Sequence, residues 1–153
     1  MEPLLRLYRN AADVLSRLQS PMLLAVRLYW GYQFAQTGWG KLHHLARITD
    51  FFTSLGIPFP GLNAHFVAGL EFAGGILLML GLLSRPVALL LAGNMFVAYL
   101  TADREALLAI FSDPGKFYVA DPYTFLFASI MVLIFGPGWF AIDTIIRRRL
   151  ARQ

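Results

Sequence analysis

The chain has 153 residues, 58% of them hydrophobic and only 14% charged, with a mean hydropathy of +0.59; soluble domains carry about 25% charged residues, so this composition excludes an ordinary water-soluble globule and points to a membrane. Thirteen Lys and Arg against nine Asp and Glu leave a net charge of +4, but the cations gather at the ends of apolar segments and lack the continuous basic face with interleaved aromatics that a nucleic-acid partner needs. With no cysteine, disulfide, thiol, iron–sulfur and thiolate–zinc chemistry are absent from the chain itself.

Residues 1–20 are too interrupted by charge for a signal peptide. Leu4, Leu7, Tyr8, Ala11, Leu15 and Leu18 recur at helical spacing, with Arg6, Arg9, Asp13 and Arg17 mostly on other sides, which predicts an interfacial amphipathic helix in contact with membrane lipid. Pro21 suits the first turn of a new helix, and residues 21–40 then match the thickness of a hydrocarbon core as a first span. Residues 41–61 are mixed, with a short helix expected around Leu42 to Phe52 and an end at Gly56, Pro58, Pro60 and Gly61. Residues 62–84 form the clearest span despite one carboxylate. Arg85-Pro86 predicts a tight turn into a third span over 86–102, so spans two and three make an antiparallel hairpin.

Residues 103–121 are polar and punctuated by Asp113-Pro114-Gly115, with EALLAIF as a short surface helix. A fourth span runs over 122–141, kinked or interfacial beyond Gly136-Pro137-Gly138, and a basic cytoplasmic tail covers 147–153. The expected fold is an all-α membrane protein: a four-transmembrane-helix bundle over 21–146 with an N-terminal amphipathic helix. Placing both termini in the cytoplasm puts Arg6, Arg9, Arg17, Arg85, Arg147, Arg148, Arg149 and Arg152 inside and Lys41, Arg47, Arg104 and Lys116 outside, eight against four, which favours this orientation in the cytoplasmic (inner) membrane.

Arg27, Gly31, Phe34, Gly38 and Lys41 follow spacings of three and four along one face of span one; Ala64, Ala68, Glu71, Gly75, Leu78 and Leu82 do so in span two. Both ionisable residues, Arg27 and Glu71, thus lie on small-residue faces that expect a protein neighbour rather than lipid. Counting from the proposed cytoplasmic ends at about 1.5 Å per residue puts Arg27 roughly 9 Å deep, Asn94 roughly 12 Å, and Gln33 and Glu71 both roughly 18 Å. The expected neighbours are therefore Gln33 with Glu71 and Arg27 with Asn94. An Arg27–Glu71 ion pair would compensate both charges, but helix side chains lean toward their own N-termini, which in antiparallel spans carries these two apart. Arg27, Gln33, Glu71 and Asn94 either fix helix packing or line a site for a polar head, with Arg27 and Glu71 as its chemical groups. His43, His44 and His65 lie toward the outer side without a carboxylate at motif spacing, so neither a metal site nor a bound haem is expected.

The segments RLYWGYQFAQTGWGKL at 27–42, LEFAGGILLMLGLLSRPVALLLAGNMFVA at 70–98 and FGPGWFAID at 135–143 resemble the DoxX family of small membrane proteins in order and spacing. The family's arginine, glycine and lysine series falls on Arg27, Gly31, Gly38 and Lys41, its E-x-x-G-G and G-x-x-x-R on Glu71, Gly74, Gly75, Gly81 and Arg85, and its terminal G-x-G with aspartate on Gly136, Gly138 and Asp143. Ala141 and Ile142 stand where the family usually has serine and leucine, so a capping role for that serine is lost or moved.

The resemblance implies a membrane subunit of a quinone-linked respiratory or redox complex. Arg27 would hold the oxygen-bearing head of a quinone-like amphiphile, Glu71 would accept or relay a proton, and Gln33 and Asn94 would orient the ligand. No covalently bound cofactor is expected, and electrons would have to come from a redox or respiratory partner subunit. A non-catalytic assembly or scaffold subunit is the alternative, a small transporter ranks third, and homo-oligomers fit each of these. Whether the chain is itself an enzyme stays open.

Overall fold

The computed structural model describes the backbone of residues 2–152 and all of their side chains except those of residues 2, 3 and 5. Met1 and Gln153, at the ends of the expected amphipathic helix and basic tail, lie outside the described residues. Within the described residues the chain is all-α: α1 (Glu2–His43), α2 (Leu45–Ser54), α3 (Pro60–Leu80), α4 (Ser84–Thr101), α5 (Arg104–Leu108), α6 (Pro114–Val119), α7 (Pro122–Phe135) and α8 (Ile142–Leu150). The second half of α1, with α3, α4 and α7, makes up the bundle; α1 packs chiefly on α3, and α4 on α7 and α3. The connections α2, α5 and α6 sit at one end, and α8 with the N-terminal half of α1 at the other.

The break expected at Pro21 does not occur, because α1 runs through it for 42 residues. A proline inside a helix removes one N–H and crowds the preceding turn. Tertiary contacts at this point offset that cost: Ser20 is buried, its hydroxyl accepts the Trp139 N–H at 3.2 Å, and Gly138 packs on its backbone. The turn expected at Arg85-Pro86 falls earlier, at Gly81 to Leu83, both with positive φ (68° and 51°), while Arg85 and Pro86 open α4. Gly81 takes this conformation without a Cβ penalty, whereas Leu83 adopts it at a cost. The last apolar helix is also shorter than the span expected over 122–141: α7 stops at Phe135, and Gly136 and Gly138, at φ 79° and 78°, turn the chain before α8. Arg147 to Arg149, the start of the expected basic tail, lie within that last helix.

Asp143 holds the strained hairpin. Its two carboxylate oxygens accept the backbone N–H groups of Leu83 and Ser84, each at 2.8 Å, and so cap α4 from another element, since α4 has no capping side chain of its own. Burial pushes the Asp143 carboxyl up, but the N–H groups of Ser84 and Leu83 and the charge of Arg147 outweigh it and hold the group below its ordinary value. With a depressed folded value, the stabilisation is complete above the unfolded pKa of about 3.9 and is lost as pH falls through the lower folded one. Asp143→Ala is therefore expected to cost about 1–2 kcal/mol at pH 7. In thermal melts in detergent, the gap to the parent protein should close as the pH is taken well below about 3.9.

The seam between α1 and α3 is a backbone contact. A Cβ on Gly31 would lie 2.7 Å from Met79 Cγ and 2.8 Å from the Gly75 carbonyl, and one on Gly75 would lie 2.5 Å from Ala35 N and Gly31 O. Behind it, Phe34, Leu78, Val87, Ala88, Leu91, Met95 and Val132 form the core, with Phe125 edge-on to Phe34 at a ring separation of 4.7 Å. The outward faces carry large apolar side chains: Leu28 and Tyr32 on α1, Leu62 and Phe66 on α3, Leu89, Phe96 and Leu100 on α4, and Phe127 and Ile134 on α7 are all exposed. A protein whose charged residues Arg27 and Glu71 are buried while such residues cover its flanks is turned toward lipid. Among the described helices, α3 alone is both long and apolar enough to cross a membrane by length and composition; α7 is apolar but has 14 residues.

Candidate functional site

Glu71 sits in the middle of α3, 1% exposed, and gathers polar groups from two other helices. Lys41 Nζ, from the end of α1, donates to Oε1 at 2.6 Å and to Oε2 at 2.7 Å; Asn94 Nδ2, from α4, donates to Oε1 at 2.9 Å; and Thr37 Oγ1 lies 3.2 Å from Oε2. Such a carboxylate is compensated in charge and satisfied in hydrogen bonding, the condition under which burying an ion pair is tolerable. The two side chains meet because each leans toward its own helix N-terminus. Lys41 therefore reaches back from the C-terminal end of α1 toward the middle of the bundle, and Glu71 reaches from the middle of α3 toward that same end. Gly38, one turn before Lys41, lies directly against the backbone of Ala68 to Phe72 and brings α1 close enough for the contact.

The pair lines a cleft of about 960 Å³ between α1, α3, α4 and α7. Tyr29, Trp30, Phe34 and Phe125 form its aromatic wall, Gln33 and Thr37 add polar groups from α1, and Asp103 and Asp121 line it at the end that carries α5 and α6. Burial, and then the neighbouring Asp121, raise the Asp103 carboxyl above its ordinary value. The arrangement offers an amphiphile flat apolar surfaces for a ring, with a carboxylate and an ammonium in the same cleft for oxygen-bearing groups.

The sequence-predicted residues divide between two places. Asn94 bonds Glu71 and Gln33 lines the same cleft, but Arg27 lies at the opposite end of the bundle. Fully buried, it donates through Nη2 to the Phe140 carbonyl at 2.5 Å and packs against Gly81, so it neither pairs with Glu71 nor meets Asn94. The depth count placed Gln33 level with Glu71, whereas Gly38 faces it; α3 ends level with Arg27 rather than with Pro21. Lys41 and Thr37 are the residues that depth counting missed. The signal for Lys41 was present in its place on the face of Arg27, Gly31, Phe34 and Gly38, combined with the same N-terminal lean of side chains.

A model of the DoxX family matches residues 22–104. The chain is 26% identical over 136 residues to "Inner membrane protein YqjF" of Escherichia coli (strain K12), covering 88% of this chain and 99% of the relative. It is 30% identical over 120 residues to "Putative oxidoreductase CatD" of Bacillus subtilis (strain 168), covering 78% of this chain and 83% of the relative. No solved structure matches the chain.

Proposed function

Because the chain is a membrane protein that belongs to the DoxX family, we propose that α1, α3, α4 and α7 form a four-span bundle in the inner membrane with both termini cytoplasmic, and that the cleft beside Glu71 binds a quinone-like amphiphile for a redox or respiratory complex. The observation that carries this reading is the ion pair between half-buried Lys41 and buried Glu71 in the wall of an aromatic-lined cleft. The oxidoreductase name of the Bacillus subtilis relative supports the redox assignment, and the eight-to-four distribution of cations supports the orientation. In this reading Lys41 and Gln33 take the place that the sequence assigned to Arg27 and hold an oxygen of the head. Glu71 exchanges a proton, Asn94 keeps its carboxylate in place, and Arg27 ties α1 to the segment before α8. Electrons reach the cleft from a cofactor in a partner subunit.

The assembly or scaffold alternative draws on the same geometry, since both Glu71 oxygens already have partners within the chain. Quinone content separates the two. Protein purified in mild detergent and extracted into organic solvent is expected to release quinone, and Gln33→Leu and Glu71→Gln to lower its occupancy severalfold at unchanged helicity. Because the Gln33 side chain forms no hydrogen bond among the described residues, its variant stays informative if Glu71→Gln unfolds. Parent-level quinone in the folded Gln33→Leu protein, or none in the parent, would overturn the quinone site and leave the scaffold reading.

A further inference from the structure

At the end that carries α8, a second groove of about 680 Å³ lies between α1, the start of α4, residues 135–139 and α8. Arg85, from the first turn of α4, and Arg147, from α8, both line it, with Gln19 of α1. Neither arginine forms an ion pair among the described residues. Arg85 makes one long contact, 3.3 Å, from Nη2 to the Ile134 carbonyl. The acid in the wall, Asp143, has each oxygen engaged by a backbone N–H of the α3–α4 hairpin. The groove therefore keeps two guanidinium groups with donors to spare, the planar fork that matches phosphate.

Its rim is of opposite character. Phe135 and Trp139 line the groove and are more than half exposed, and Phe140, Ile145 and Ile146 continue the apolar surface beside them. A tryptophan and phenylalanines next to arginines mark the interfacial layer of a bilayer, where apolar tails end and headgroups begin. A ligand complementary to both parts has an anion at one end and hydrocarbon at the other. We propose that this groove is a binding site for an anionic phospholipid, with the phosphate between Arg85 and Arg147 and the acyl chains along Phe135 and Trp139. Free phosphate has the same anion but would leave the aromatic rim uncovered. The inference rests on the membrane reading and is independent of the quinone assignment.

Native mass spectrometry of the full chain, with phosphatidylglycerol or phosphatidylcholine added in detergent, tests this. The parent protein is expected to retain phosphatidylglycerol in preference to phosphatidylcholine. Arg85→Gln/Arg147→Gln should weaken retention about 30-fold, taking about 1 kcal/mol for each arginine at a membrane surface, and the surface variant Arg147→Gln alone about fivefold. Arg148→Gln/Arg149→Gln removes the same charge outside the groove and should leave retention close to the parent's. Equal loss in the two double variants would mean diffuse attraction and would overturn the proposal. So would displacement of the lipid by millimolar inorganic phosphate, or parent-level retention in folded Arg147→Gln.

Discussion

Lys41→Met is expected to destabilise the protein by about 3 kcal/mol, the lower part of the range for breaking a buried ion pair, because it strands the Glu71 carboxylate in a site where it is 1% exposed. The lower end applies because Lys41 itself keeps 31% of its side-chain exposure. Asn94 and Thr37 would remain as donors, but neither carries a charge. Lys41→Met/Glu71→Gln removes both charges at nearly constant shape and should recover most of the loss, since the penalty lies in the unpaired ion rather than in the missing attraction. Denaturant titration of helicity in micelles for the parent, both single variants and the double variant yields the coupling. A double variant as unstable as the sum of the singles would show that the two side chains act independently.

Gly38→Ala is expected to be nearly as costly. The added methyl would overlap Phe72 N and come within 2.8 Å of the Ala68 carbonyl oxygen and of Glu71 C. These are backbone atoms of a helix and cannot rotate away, so α1 and α3 must separate. Overpacking of this kind costs about 1–3 kcal/mol, and a backbone-on-backbone seam belongs at the upper end. The separation also pulls Lys41 from Glu71, so the cleft loses its shape along with the stability. Gly40, two residues on in the same helix, has nothing within 4 Å of its would-be Cβ. Gly40→Ala should instead stabilise α1 by up to about 1 kcal/mol through helix propensity. Opposite signs for these neighbouring substitutions, read as unfolding midpoints in the same detergent, would identify the seam as the source of the effect.

The four apolar segments, the hairpin between the second and third, and the glycine face of the first were legible because each depends on hydropathy or on spacing of three and four within one helix. The Asp143 cap of α4 was not, since its partners Leu83 and Ser84 lie about sixty residues away in the chain. The same holds for Ser20, which accepts from Trp139 across 119 residues and keeps α1 continuous past a proline that local rules read as a start. The missing serine at position 141 does leave the first turn of α8 without a side-chain cap, as the departure from the family pattern implied.

The chain's composition and periodicity were sufficient to establish an all-α membrane protein with charges turned inward, because burying charge in lipid is costly enough to leave a trace in every segment. Which charges meet was settled only by packing. The close contact at Gly31, Gly38 and Gly75 sets the stagger of α1 against α3, and that stagger, with the N-terminal lean of both side chains, brings Lys41 to Glu71 and leaves Arg27 at the Phe140 carbonyl. A shift of one helical turn is about 5.4 Å, enough to exchange one partner for another while leaving the hydropathy pattern unchanged.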